Sequence, residues 1–208
     1  MGMTQPDQPA QVVGEPEVDD VVEIMAGAFF TDPLWGWAFP DPQRRRDQHR
    51  QVWRLFVQAA IRYPWVWLNG PRTAAAVWIP PGGTELGPQE ETRFEQLVTE
   101  QAGPHAARVF HAFEALEEAH PHGEPHFYLS LLGTAPEHRG HGYGLGLLAE
   151  NLRRVDELQA PAYLEASNLV NVPLYARYGF APVRTLQLPD GGPEVVTMWR
   201  EPGGRRPA

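Results

Sequence analysis

Four glycines stand at alternate positions, Gly140, Gly142, Gly144 and Gly146, within PEHRGHGYGLGLLAENLRRV (residues 136–155), and the stretch runs on into an amphipathic pattern of helical period. Glycines this dense at a helix entrance let backbone N–H groups approach a bound group that a Cβ would block, and they accept φ values that other residues resist. The chemistry on offer is the holding of an anion by successive amides and the positive end of a helix dipole. Spacing removes several anion sites from consideration. A dinucleotide or kinase loop needs G-x-G-x-x-G, but the third glycine falls on Leu145 when counted from Gly140 and on Leu147 when counted from Gly142. A nucleoside triphosphatase loop ends in Gly-Lys-Ser/Thr, where this chain has Gly146-Leu147-Leu148.

What remains is Arg139 followed at +3 and +5 by Gly142 and Gly144, an R-x-x-G-x-G series between an apolar strand and a helix. In that form the loop resembles the acyl-CoA pyrophosphate loop of the GNAT family of N-acetyltransferases. The order that follows continues the resemblance: a strand in PAYLEASN, an asparagine, a short helix ending Tyr-x-x-x-Gly-Phe in NVPLYARYGF, and a closing hairpin. YLEASNLVNVPLYARYGF, with AAAVWIPP upstream, is similar in particular to the puromycin N-acetyltransferase-like members. The likeness runs from about Val18 to Glu201.

Carried over residue by residue, the resemblance implies acetyl-CoA as acyl donor, with backbone from Arg139 through Gly140, His141, Gly142 and Tyr143 to Gly144 around its pyrophosphate. Leu132 and Gly133 would pair with the peptide-like pantetheine arm, which can extend a sheet where two strands diverge. Asn168 or Asn171 would contact the same arm; the spacing to Tyr175 permits either, and Asn171 can also cap the short helix. Tyr175 would protonate the departing thiolate. Transfer would go directly to a primary amine in a ternary complex, with a strand N–H near Leu132 meeting the oxyanion.

An ammonium must lose a proton before it attacks. Glu165 is the first candidate for that role or for substrate binding, on a strand face shared with Tyr163 and Ser167, with His126, Tyr128 and Ser130 as alternatives on the preceding strand. Phe30, Trp35, Trp37 and Trp78 could line an acceptor pocket beside Tyr128, or serve as core. Antibiotic specificity is not inherited with the fold. Two rivals stay open: a non-catalytic acyl-CoA-binding domain with an identical loop, and an NAD-dependent oxidoreductase using Glu165 on a ribose, whose glycine register this loop lacks.

Composition narrows the field. A net charge of −9 over 208 residues disfavours nucleic acid and suits cationic small molecules, and the absence of cysteine removes a Cys nucleophile, thiolate metal sites and disulfides. Together with the resemblance, this makes a small-molecule amine the expected acceptor, with no metal required. HPHGEPH (His120, His122, His126) reads as a solvated connection rather than a metal site. No apolar run reaches bilayer length, and the first residues lack a basic and apolar leader pattern, so a cytoplasmic protein without membrane partner is expected. A homodimer is compatible with the sequence.

The elements that must position these residues follow from periodicity. Helices are expected from Asp19 until Pro33 stops the first, through RRRDQHRQVWRLFVQAAIRYP, over Gln89–Gln101 and Pro104–Ala119, and over 142–159. WVWLNG and TAAAVWIPPGG predict a hairpin about Asn69-Gly70; HFYLSLLGTAP predicts a central strand. The class is α/β, a mixed, largely antiparallel central sheet flanked by helices. Residues 17–201 form one domain, between a flexible segment 1–16 and a flexible tail 202–208. Gly146 is expected to let the helix pack closely on the sheet.

Overall fold

Two apolar segments, AAAVWI and FYLSLLGT, form the middle of a seven-stranded sheet in a computed structural model that describes residues 9–204. The strands are β1 (Gln11–Val12), β2 (Val66–Leu68), β3 (Ala74–Ile79), β4 (Phe127–Thr134), β5 (Ala162–Ala166), β6 (Ala181–Gln187) and β7 (Glu194–Arg200), in the spatial order β1-β2-β3-β4-β5-β7-β6. All neighbours run antiparallel except β4 and β5. Both faces of the centre are covered, which is why β3 is buried along its whole length.

One face carries α1 (Val18–Ala28), α3 (Arg45–Ala60), α4 (Pro88–Ala102) and α5 (Ala106–Ala119), packed around Trp35, Trp53 and Phe56. The other carries α6 (Tyr143–Glu157), whose Leu147, Leu148, Leu152 and Val155 sit against Trp78, Phe127 and Leu129. Trp78 is fully buried there, and its indole N–H donates to Asn151 Oδ1 at 3.0 Å.

Two features of the sheet make room for a site. Between Val77 opposite Leu131 and Trp78 opposite Leu129, Ser130 has no partner on β3, so β4 carries a bulge. Beyond it the strand's alternation is inverted: Phe127 and Leu129 face the α6 side, whereas Leu131 faces the α1 side. At the same level β4 and β5 part, their pairing ending at Leu129 opposite Leu164, while each continues with its other neighbour. A wedge opens from Ser130 to Gly133 on one side and from Glu165 on the other.

Several expectations need correction. Gln11–Val12, inside the stretch taken as flexible, pairs with Trp67–Leu68, and Gly203, in the expected tail, donates its N–H to Asp156 Oδ1 at 2.8 Å. Within these stretches, residues 1–8 and 205–208 lie outside the described residues. Pro33 does not halt helicity; α1 ends at Ala28, and Pro33 opens a further helix, α2 (Pro33–Ala38), because Asp32 caps it by accepting from the Leu34 and Trp35 amides at 3.0 and 3.3 Å. Gly146 is exposed, and a Cβ there would meet nothing within 4 Å. Close packing falls instead on Gly144, where a Cβ would lie 2.6 Å from Thr134 Oγ1.

Candidate active site

β4 delivers the chain through a short turn into the glycine loop, and α6 begins at Tyr143 with Gly142 as its N-cap. Gly140 and Gly142 both have φ of +79°, with open space where a Cβ would stand. Glycine is needed at these two positions for backbone conformation, and both line the adjoining cleft of about 510 Å³. Gly142→Ala should therefore cost about 1–2 kcal/mol of stability through the left-handed φ. If the loop holds a diphosphate, as its resemblance implies, affinity should fall as well, roughly tenfold, or ~1.4 kcal/mol. Denaturant unfolding and calorimetric titration with CoA check the two effects separately.

The Arg139 side chain donates to the Ala28 carbonyl at 2.6 Å and lies 3.4 Å from Thr31 Oγ1, so it ties the end of α1 to the loop while lining the cleft. Tyr143 and Gly144 also line it. His141 does not: its ring lies over the loop, Nδ1 at 3.0 and 3.2 Å from the Arg139 and His138 carbonyls. Gly133 lets α1 approach β4, since a Cβ would stand 2.9 Å from Ala28 Cβ and from Met25 Sδ.

Both asparagines left open by spacing reach this cleft, in different roles. Asn168 Oδ1 is occupied by the Val170 amide at 3.3 Å, whereas Asn171 makes no side-chain cap to α7 (Val172–Ala176) and lines both the cleft and a smaller chamber. That chamber, about 90 Å³, sits in the wedge between β4 and β5 and shares Phe29, Asp32, Leu132, Asn171 and Tyr175 with the loop cleft. Tyr175, on α7, stands at the junction. Burial, with the Asp32 carboxylate adding to it, pushes its hydroxyl up to about 12, so it holds its proton throughout the neutral range. Asp32 accepts from Ser167 Oγ at 2.8 Å, and burial raises its carboxyl against that hydrogen bond and those of α2.

On its far side the chamber adjoins a second cleft of about 940 Å³, sharing Phe56, Phe113, Glu85, Tyr128 and Glu165 with it. Seven glutamates line this cleft and no lysine or arginine does, so its field attracts cations. Glu165 Oε2 accepts from Tyr128 Oη at 2.6 Å, and Oε1 lies 3.8 Å from His120 Nδ1. Burial first, then the Glu165 and Glu85 charges, drive the Tyr128 hydroxyl well above its ordinary value. Glu85, on the loop between β3 and α4, accepts from Ser130 Oγ, and burial pushes its carboxyl up to about 7.

The aromatic assignments divide. Tyr128 lines both the chamber and the acidic cleft, and Trp35 lines the chamber while packing edge-on against Trp53 at 4.6 Å in the core. Trp78 faces α6 on the opposite side of the sheet, and Phe30 lies under the Arg45 guanidinium at 5.2 Å, away from these spaces. Asp32, Glu85 and Phe29 escaped sequence reasoning. Asp32 was legible as the cap in Thr-Asp-Pro-Leu; Glu85 sits in a loop whose letters carry no periodic signal. Among the described residues no group of three or more His, Cys, Asp or Glu has metal-holding geometry, and no helix is long and apolar enough to cross a membrane.

The parted sheet thus carries the glycine-loop cleft on one side, a cleft lined by glutamates on the other and a small chamber between them. The chain belongs to the GNAT acetyltransferase family, whose sequence pattern it matches over residues 34–180, and it is by class an acetyltransferase acting on amines. Solved structures share the fold. A histone acetyltransferase and related acetyltransferase from Corynebacterium glutamicum is 22% identical, with 95% of this chain and 97% of that one covered and a TM-score of 0.65. A polyamine N-acetyltransferase of Drosophila melanogaster that forms N-acetylagmatine is 17% identical, with 92% and 98% covered and a TM-score of 0.63. Arylalkylamine N-acetyltransferase 2 of Aedes aegypti is 12% identical, with 95% and 99% covered and a TM-score of 0.62.

Proposed function

We propose that the protein transfers the acetyl group of acetyl-CoA directly to the primary amine of a small, positively charged molecule, with both substrates bound at once. The observation that carries this is the placing of the chamber at Tyr175 between the glycine-loop cleft and the cleft lined by glutamates, with wall residues shared with each. The residues present suit CoA: two left-handed glycines before the start of α6 offer amides to a diphosphate, and the unpaired edges of β4 and β5 suit an amide-bearing arm. Leu132, Asn171 and Asn168 would flank that arm. Tyr175 would give a proton to the thiolate as the C–S bond breaks. The names of the polyamine and agmatine acetyltransferases of like fold agree with a cationic acceptor, which here is supported chiefly by the acidic lining.

Thermal unfolding with acetyl-CoA, CoA, NAD and ATP, each alone and in large excess, tests the donor. A ligand at about a hundred times its Kd adds roughly 2.7 kcal/mol, enough for a rise of about 5–10 °C in a domain of this size. Only the CoA compounds should produce it. A panel of mono- and diamines followed by thiol release then tests the acceptor, and neutral or acidic amines such as free glutamate should be the poorest. A shift with NAD but none with acetyl-CoA would refute the assignment of the loop.

A further inference from the structure

We propose that Glu85 is the general base of the reaction, taking the proton from the incoming ammonium, with Glu165 as the fixed anion that guides the cation to it. This rests on the acetyl-transfer function proposed above. Glu85 comes from neither wedge strand, yet it lines both the chamber and the acidic cleft, and so stands where an amine passes from one to the other. Ser130, the unpaired residue of the β4 bulge, donates to it and fixes its carboxylate beside the break in the sheet. Glu165 lines the same two spaces but is committed elsewhere, accepting from Tyr128 at 2.6 Å with His120 Nδ1 at 3.8 Å. Three carboxylates, Asp32, Glu85 and Glu165, line one chamber with no cationic side chain, a poor arrangement until a positive charge arrives.

The protons balance. The ammonium gives one proton to the Glu85 carboxylate, and the freed lone pair forms the C–N bond at the thioester carbon. As the C–S bond breaks, sulfur takes its electron pair and the Tyr175 proton. The second nitrogen proton restores Tyr175, the amide keeps the third, and Glu85 releases its own to water in the acidic cleft. The charged and titratable groups around Glu85 are Tyr128 on β4, Glu165 on β5, Glu117 and His120 at the end of α5, Glu91 on α4, and Arg62 just after α3, which donates to the Glu85 carbonyl at 3.4 Å and lines neither space. Burial and two carboxylate neighbours hold the Glu85 acid near 7, matched to proton exchange at neutral pH.

The test compares Glu85→Gln with wild type on ethylamine and on 2,2,2-trifluoroethylamine, whose fluorines keep its nitrogen neutral at pH 7. The variant should lose roughly a hundredfold in kcat on ethylamine, recover part of that as pH rises, and stay within about threefold on the fluorinated amine. Equal losses on both amines, or no loss on ethylamine, would overturn the assignment. An acceptor-free measurement stands beside it. A carboxyl raised by the fold destabilises progressively between its unfolded value near 4.5 and about 7, so Glu85→Gln should unfold at a higher temperature than wild type at pH 8 and at the same temperature at pH 4. No such gap would also overturn it. A retained acetyl-CoA shift in Glu85→Gln shows the donor site intact, whereas a wild type idle on every amine would sink the parent function together with this one.

Discussion

Tyr175→Phe is expected to lower kcat by roughly a hundredfold to ten-thousandfold while leaving the unfolding shift produced by acetyl-CoA in place. The substitution removes one oxygen and nothing else. Only burial and the Asp32 charge act on the hydroxyl, with no hydrogen bond among the described residues, so its loss strands no buried group, and the ring keeps its edge contact with Phe180 at 6.2 Å. A hundredfold loss corresponds to about 2.7 kcal/mol of barrier, a reasonable share for a positioned acid serving a leaving thiolate. Because burial holds the hydroxyl near 12, the wild-type rate should show no alkaline fall from this group below about pH 10. Stopped-flow thiol release alongside calorimetric CoA titration separates the two effects. Full activity in the variant would remove Tyr175 from the chemistry, and lost CoA binding would make it a donor-site residue instead.

The second large effect lies far from the chemistry. Asp156→Ala is expected to destabilise the fold by about 3–5 kcal/mol. Arg200, at the end of β7, is 5% exposed; it donates twice to Asp156, at 2.6 and 2.7 Å, and once to the Tyr178 carbonyl at 2.7 Å. Removing the carboxylate leaves that guanidinium buried and unpaired, whereas the double change Asp156→Leu with Arg200→Met should recover much of the loss. The same pair sets an acid limit. Its hydrogen bonds with Arg200 hold the Asp156 carboxyl below its ordinary value of 3.8, so its contribution is complete above about pH 4 and disappears as pH falls through the lowered value. Urea midpoints at pH 3 and pH 7 for wild type and Asp156→Asn would show this: the wild type should lose more.

Much of this fold could be read from the letters because its signals are local. The spacing of Val52, Leu55, Phe56 and Ala59, the Asn69-Gly70 turn and the apolar run of β4 each appear in the structure as α3, the β2–β3 connection and the fourth of seven strands. The glycine loop was legible because φ of +79° at Gly140 and Gly142 leaves glycine almost alone as an occupant. The acceptor side was not. A bulge at Ser130 has no sequence signature, yet it decides that Tyr128 and Leu131 face the same side, against the even alternation a strand suggests. Glu85 reaches the chamber only through tertiary packing of a loop, and Trp78, chemically a fine pocket residue, is assigned to the other face by the register of β3. Asp32 shows how one residue can hide a second role, its cap to α2 being predictable and its contact with Ser167, 135 positions away, not.

The glutamate-lined cleft has a consequence for the direction of traffic. Acetylation converts an ammonium into a neutral amide, and a wall of carboxylates that draws in the first exerts almost no pull on the second. Under the proposed function, substrate and product would be sorted by charge at the same doorway, and the amide would leave with no carboxylate holding it. An acceptor with a second cationic end keeps one hold on the wall after reaction. Such a molecule would leave more slowly, or turn and present its other nitrogen.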